Sequence, residues 1–217
     1  MPKESQKAKK ERVLKLIELL KERYPDAICS LDYVSPLELL VSVRLAAQCT
    51  DARVNLVTPA LFKRFPTMEA LANADLAELE GLIHSCGFYH SKAKDIIGAC
   101  RRILEVYNGV VPDTMEELLT LPGVGRKSAN LILGDVYGKP AIVVDTHCIR
   151  ITNRLGLVSL QDPTKIEFEL AKILPPEESN NFCHRLVLFG REICTARSPK
   201  CGECPLAEFC PKIIKKV

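Results

Sequence analysis

Four of the ten cysteines crowd into 17 residues near the carboxy terminus, as Cys194, Cys201, Cys204 and Cys210 in a C-x6-C-x2-C-x5-C run. The chain opens Met-Pro-Lys-Glu-Ser-Gln-Lys with no apolar signal core behind it. An intracellular, reducing location is therefore expected, where clustered cysteines are more often metal ligands than disulfides. Zinc and iron–sulfur compete for such a set. Structural zinc more often uses two short C-x2-C pairs, and the single close pair here favours iron and sulfur held by four thiolates. Cys29, Cys49, Cys86, Cys100, Cys148 and Cys183 are scattered among helix-like or apolar residues and read as small hydrophobes.

A second constellation is Leu121-Pro122-Gly123-Val124-Gly125-Arg126-Lys127-Ser128-Ala129-Asn130, between helix-like stretches at Thr114 to Thr120 and Arg126 to Gly138. Glycines at 123 and 125 permit backbone angles closed to other residues and bare the amides of a helix amino terminus, which suits a phosphate oxygen. Leu121 and Val124 would pack the two helices together, and contacts through main-chain donors carry no sequence information. An ordinary helix–turn–helix connection explains the glycines equally well. It does not explain Lys127. A cation is disfavoured in the first turn of a helix. The same field, joined by desolvation, would raise the share of neutral amine able to attack carbon and form a Schiff base. The plainer reading of one lysine beside a loop is a solvated phosphate contact. Asp145 follows the apolar run Ala141 to Val144 and precedes a helical pattern that reaches Gly156. Its ordinary role is an N-cap. The chemical alternative is a carboxylate that stabilises a developing cationic sugar or takes a proton from an attacking amine or water.

The elements that must hold these groups are helices. Val13, Leu16, Ile17, Leu20 and Tyr24 recur at helical spacing opposite Lys15, Lys21, Glu22 and Arg23. Ser35-Pro36-Leu37-Glu38 supplies a cap, a proline at the first position and a glutamate three residues later. Similar openings stand at Thr67, near Asn73 to Asp75, at Ser91, at Asp113, at Asp162 and around Ser179 to Asn180, for about nine or ten helices in all. Pro59 should bend or split the helix over Asp51 to Phe65. Ala141 to Val144 has no strand partner and reads as a buried connector. The fold expected is all-α.

At 217 residues, 47% hydrophobic and 26% charged, the composition excludes disordered, collagen-like and repeat-dominated chains. No apolar run approaches the roughly 18 residues needed to span a bilayer. Net charge is only +3, so it does not by itself announce a nucleic-acid partner. The lysines at the ends, Lys3, Lys7, Lys9, Lys10, Lys212, Lys215 and Lys216, read as solvated tails.

Taken jointly, the hairpin at 121 to 130, Val-Asp-Thr-His at 144 to 147 and the cysteine run resemble the endonuclease III family, bifunctional DNA glycosylases of the helix-hairpin-helix, Gly/Pro-Asp superfamily. Ala-Ala-Gln-Cys-Thr-Asp at 46 to 51 and Gly-Phe-Tyr-His-Ser-Lys-Ala at 87 to 93 extend the likeness to about residues 10 to 212. The resemblance implies two helical domains flanking a DNA-binding cleft. One is a six-helix barrel over residues 29–139 with the hairpin. The other joins residues 1–28 to 140–217 and carries a 4Fe-4S cluster on Cys194, Cys201, Cys204 and Cys210. It further implies that Lys127 attacks C1′ of a damaged nucleotide with Asp145 assisting, and that the resulting imine allows β-elimination of the strand. Gln48 would fill the vacated stack and Phe88, where many relatives carry leucine, would wedge the opposite strand. Read from the residues alone, Gln48 is a polar helix-end residue and Phe88 a core aromatic. Leu121, Gly123, Val124, Gly125 and Arg126 would hold the DNA backbone, and Arg197 and Lys200 on the cluster loop would reach phosphates. The partner implied is duplex DNA with damaged pyrimidines or abasic sites, bound by a monomer. The rivals are a monofunctional adenine or thymine mismatch glycosylase, whose hairpin generally lacks the lysine, and a non-catalytic redox-sensing DNA-binding protein.

Overall fold

The computed structural model describes residues 4–213; Lys3, Lys215 and Lys216 lie outside them. Among the described residues there are eleven α-helices and no strand, slightly more helices than the pattern suggested. In chain order they are α1 (Gln6–Arg23), α2 (Pro36–Ala46), α3 (Asp51–Arg64), α4 (Met68–Ala72), α5 (Leu76–Ile83), α6 (Tyr89–Val106), α7 (Met115–Leu118), α8 (Arg126–Asp135), α9 (Thr146–Arg154), α10 (Pro163–Ala171) and α11 (Ser179–Glu192). Short 3-10 turns occupy His84–Cys86, Pro176–Glu178 and Ala207–Phe209. No helix is long and apolar enough to cross a membrane among these residues.

Side-chain caps set most of the starts. Ser35 accepts from the Glu38 amide at 3.2 Å, while the Glu38 carboxylate accepts from Val34 N at 2.9 Å. Thr67, Asp75 and Asp162 cap α4, α5 and α10 as expected. Three starts differ. Phe88, not Ser91, precedes α6, because the Ser91 hydroxyl turns back and donates to Phe88 O at 3.0 Å. Thr114, one residue past Asp113, caps α7 through the Glu117 amide. Glu178 precedes α11 without a side-chain cap, and the Ser179 hydroxyl donates to Pro176 O instead. Pro59 does not split α3, which runs unbroken. The proline is exposed, so its ring displaces nothing in the core and the helix absorbs one lost backbone bond.

Contacts divide the chain into two units, Cys29–Gly138 and the residues up to Ile28 together with those from Lys139 on. In the first, α2 packs on α3, α6 and α8, α4 and α5 pack on α6, and α7 lies against α8. Its core includes Leu39, Leu45, Val54, Leu61, Leu79, Ile83, Ile96, Ile103, Ala129 and Ile132. In the second, α11 lies against both α1 and α9, burying Leu16, Leu20, Ile151, Phe182, Leu186 and Phe189. Ala141 to Val144 is the buried connector expected, without strand pairing. Arg12 fastens the amino-terminal helix by donating to Leu155 O at 2.9 Å and Phe209 O at 3.1 Å.

Candidate nucleic-acid interface and iron–sulfur site

The hairpin between α7 and α8 is built around one glycine. Gly123 has φ +74°, and a Cβ added there would lie 2.6 Å from Arg44 Nε and 2.8 Å from Asp95 Cβ. Those two side chains form an ion pair, with Arg44 Nη2 2.6 Å from Asp95 Oδ2. The turn therefore rests directly on a salt bridge joining α2 to α6. Beside it the Pro122 ring meets α6 where Gly98 has no side chain, 3.3 Å from the position of a Cβ. Leu121 is buried beneath and Val124 half-buried. The two hairpin glycines are not equivalent, contrary to expectation. Gly125 has φ −103° and open space around its missing Cβ, so any residue could adopt that backbone. What glycine supplies there is the lack of a cap: the N-cap position offers no side chain to the first amides of α8. A helix amino terminus without a cap keeps donors and partial positive charge for an external anion.

Lys127 is the second residue of α8 and is exposed. The burial that would desolvate its amine is not found in the protein alone. Arg126 beside it is half-buried.

Gln48 and Phe88 occupy two turns of the same unit with the same backbone feature. Gln48 (φ +54°) lies between α2 and α3, and Phe88 (φ +48°) just before α6. Left-handed backbone at a bulky residue is strained. Phe88 is 64% exposed, so it is no core aromatic. A large apolar ring held out on a strained turn suits insertion into something stacked. Under both turns lies Lys92, fully buried, donating from Nζ to Leu45 O at 2.7 Å and Cys86 O at 2.9 Å. Sequence reasoning passed over it. The signal was a lysine in register with Ile96 and Ile103 on the apolar face of α6. Arg44 and Asp95 were missed too; nothing short of the packing reveals that pair.

In the other unit, Asp145 caps α9: Oδ1 accepts from the Cys148 amide at 2.7 Å, and the residue is half-buried. The four carboxy-terminal cysteines line a single cavity together with Arg154, Phe189, Ile193 and Leu155. None of the ten cysteines is in a disulfide. Burial first, then the neighbouring Cys194, Cys210 and Cys201, pushes the Cys204 thiol up. Cys210 is raised by burial and by Cys194 and Cys201 in the same way. Sulfurs that oppose one another's ionisation are suited to share a cationic centre. No three His, Cys, Asp or Glu among the described residues stand close enough for a single ion.

Arg154 wraps the cysteine loop, another feature missed in the sequence. It donates to Thr195 O and Ala196 O at 2.7 Å each and to Cys194 Sγ at 3.4 Å. Arg150 adds bonds to Cys194 O and Gly190 O. Arg197 and Lys200 on that loop are both exposed.

Residues 41–176 match the HhH-GPD superfamily of base excision DNA repair proteins. Residues 194–210, bounded by Cys194 and Cys210 themselves, match the iron–sulfur binding domain of endonuclease III. The chain is 53% identical over 205 residues to endonuclease III of Synechocystis sp., spanning 94% of each. The chain belongs to the endonuclease III family. Two solved structures of the family share its fold. A non-covalent endonuclease III–DNA complex has a TM-score of 0.88 at 42% identity, covering 94% of this chain and 95% of the other. A trapped endonuclease III–DNA covalent intermediate has the same score and identity, covering 94% and 96%. As an endonuclease III family member the protein is a DNA-binding base excision repair enzyme with a 4Fe-4S cofactor.

Proposed function

We propose that the enzyme removes oxidised pyrimidines from duplex DNA and then cuts the abasic strand by β-elimination, with Lys127 as nucleophile and Asp145 assisting. The observation that carries this reading is Lys127 itself, exposed in the first turn of α8 behind a glycine N-cap that offers no side chain to the helix amides. Phosphate oxygens would take the amides of Gly125 and its neighbours, and the hairpin residues Leu121, Gly123, Val124 and Arg126 would fix the backbone around the damaged nucleotide. Extruding that nucleotide costs a few kcal/mol, least where pairing is already poor. Gln48 would fill the gap and Phe88 would wedge the opposite strand.

The Lys127 amine attacks C1′, the bond from C1′ to the base breaks, and the base leaves with a proton from the nitrogen. Transfer of the remaining amine proton to O4′ breaks the C1′–O4′ bond, which opens the ring and gives an imine at C1′. The imine acidifies the C2′ protons, so removal of one expels the 3′ phosphate, and hydrolysis of the imine regenerates the lysine. Asp145, as a carboxylate, stabilises cationic character on the sugar and accepts a proton in the attack. Cys194, Cys201, Cys204 and Cys210 would hold the cluster, which supplies a rigid loop and no hydrolytic step, and Arg197 and Lys200 would meet phosphates from that loop. The enzyme acts as an intracellular monomer on this reading.

Borohydride reduction with thymine-glycol or abasic duplex should trap a covalent adduct in the wild type and none in Lys127→Ala. An adduct that persists in Lys127→Ala removes Lys127 as nucleophile. Base release without any adduct or strand scission would favour the monofunctional reading, and DNA binding with the lesion left intact would favour the non-catalytic one.

A further inference from the structure

Two turns of the Cys29–Gly138 unit each carry a bulky residue in left-handed backbone, and one buried side chain joins them. Leu45 is next to last in α2, three residues before Gln48. Cys86 closes the 3-10 turn two residues before Phe88. Each carbonyl sits at the carboxy end of a helical element, where carbonyls lack partners and the backbone dipole favours a cation. The Lys92 ammonium bonds both, at 2.7 and 2.9 Å, with no solvent exposure. The facing groups are the hydrogen-bonded thiols of Cys49 and Cys86 and, from α2, the Arg44 guanidinium. Among the described residues no carboxylate neutralises it there. An ammonium removed from water without a counter-ion is costly. Core filling alone would be met more cheaply by leucine or methionine. Strained backbone at Gln48 and Phe88 likewise persists only where its surroundings fix it.

We propose that Lys92 is a positioning residue that locks the Gln48 and Phe88 turns at a fixed separation, so that the two enter the duplex as one rigid fork. The proposal rests on the gap-filling roles given to Gln48 and Phe88 above. Lys92 touches no reacting atom. It sets the geometry in which a stacked base is exchanged for two side chains.

The test compares Lys92→Met, which keeps the length and apolar stem but removes the donors, with the wild type on two substrates. One is a lesion duplex with 2-aminopurine opposite the damaged base. The other is a single-stranded abasic oligonucleotide, in which there is no pair to open. Lys92→Met should lose the 2-aminopurine fluorescence rise and release the duplex base roughly tenfold or more slowly, since displacements of about 1 Å can cost that much. Trapping on the single-stranded abasic site should stay within about twofold. A variant that opens the duplex as the wild type does overturns the proposal, and so does an equal loss on both substrates. The fluorescence rise needs no chemistry, so a wild type that unstacks without excising would sink the proposed reaction and leave this one standing. Should Lys92→Met not fold, native-state hydrogen exchange on the wild type decides. The amides of Cys49 and Gly87 should exchange through one shared opening with the same denaturant dependence, and independent openings overturn the proposal.

Discussion

The carboxylate of Asp145 is half committed before any substrate arrives, because Oδ1 accepts the amide proton of Cys148 at 2.7 Å and closes the first turn of α9. The observed cap and the proposed catalytic role thus fall on the same side chain, and substitutions separate them. Asp145→Asn keeps an oxygen acceptor for the cap and loses the negative charge. It should melt close to the wild type while base release in a single turnover falls about a hundredfold or more. Asp145→Ala should lose the activity and, in addition, about 1 kcal/mol of stability. An Asn variant with wild-type excision would reduce Asp145 to a cap.

The two hairpin glycines should respond in opposite ways. Gly123→Ala places a methyl group in left-handed backbone and drives it into the Arg44–Asp95 pair, so a loss of about 2 kcal/mol or more is expected together with weakened DNA binding. Gly125→Ala meets nothing within 4 Å and has ordinary extended backbone; stability should stay within about 0.5 kcal/mol. Gly125→Asp would cap α8 from within and set a carboxylate where phosphate is expected. The melting temperature should hold or rise slightly while DNA affinity drops about tenfold or more. Equal binding by Gly125→Asp would remove the α8 amino terminus from the DNA interface.

Much of this arrangement is legible in the residues. The helical periodicity, the caps at Ser35, Thr67, Asp75 and Asp162, the hairpin and the cysteine run are all local patterns, and each depends on residues a few positions apart. What escapes is long-range. Gly125 looks equivalent to Gly123 in sequence, and it takes the left-handed backbone of Gly123 and the Arg44–Asp95 pair packed against it to tell the two apart. Phe88 reads as core because aromatic residues are usually buried, yet the turn before α6 presents it to solvent. Lys92 was visible as a charge in an apolar register, but its carbonyl partners come from two turns that nothing in the sequence joins. Arg154 is similar: its partners lie 40 to 42 residues away.

Buried thiols give a pH dependence with a definite sign. Burial holds Cys100 and Cys29 up at about 12, against 9.0 in the open chain. An unfolded chain therefore gives up these protons from about pH 9 while the folded chain retains them, so the stability they contribute is full below about pH 9 and is lost as the pH climbs toward about 12. Urea midpoints measured from about pH 8 to about pH 11 should fall, and Cys100→Ala should fall less steeply over the same range although its baseline is lowered by the cavity. Parallel curves for the two proteins would show that the Cys100 thiol does not titrate in unfolding.

Arg197 and Lys200 should act on DNA through charge alone. Both are exposed on a loop whose backbone is held by Arg154 and whose ends carry Cys194 and Cys201. A phosphate contact contributes to every sequence equally and releases counter-ions, so the slope of log K against log salt should become shallower by about 0.9 for each charge removed. Arg197→Ala with Lys200→Ala should therefore weaken binding at low salt, converge on the wild type at high salt, and leave discrimination between damaged and intact duplex unchanged. Arg154→Met asks whether the loop must be held for those charges to count. It removes the bonds to Thr195 O and Ala196 O without touching either cation, so its binding should lose the same part of the slope, accompanied by faster bleaching of the cluster near 400 nm. A shallower slope in the double variant but an unchanged one in Arg154→Met would mean the two cations find phosphates from a loop that needs no fixed shape.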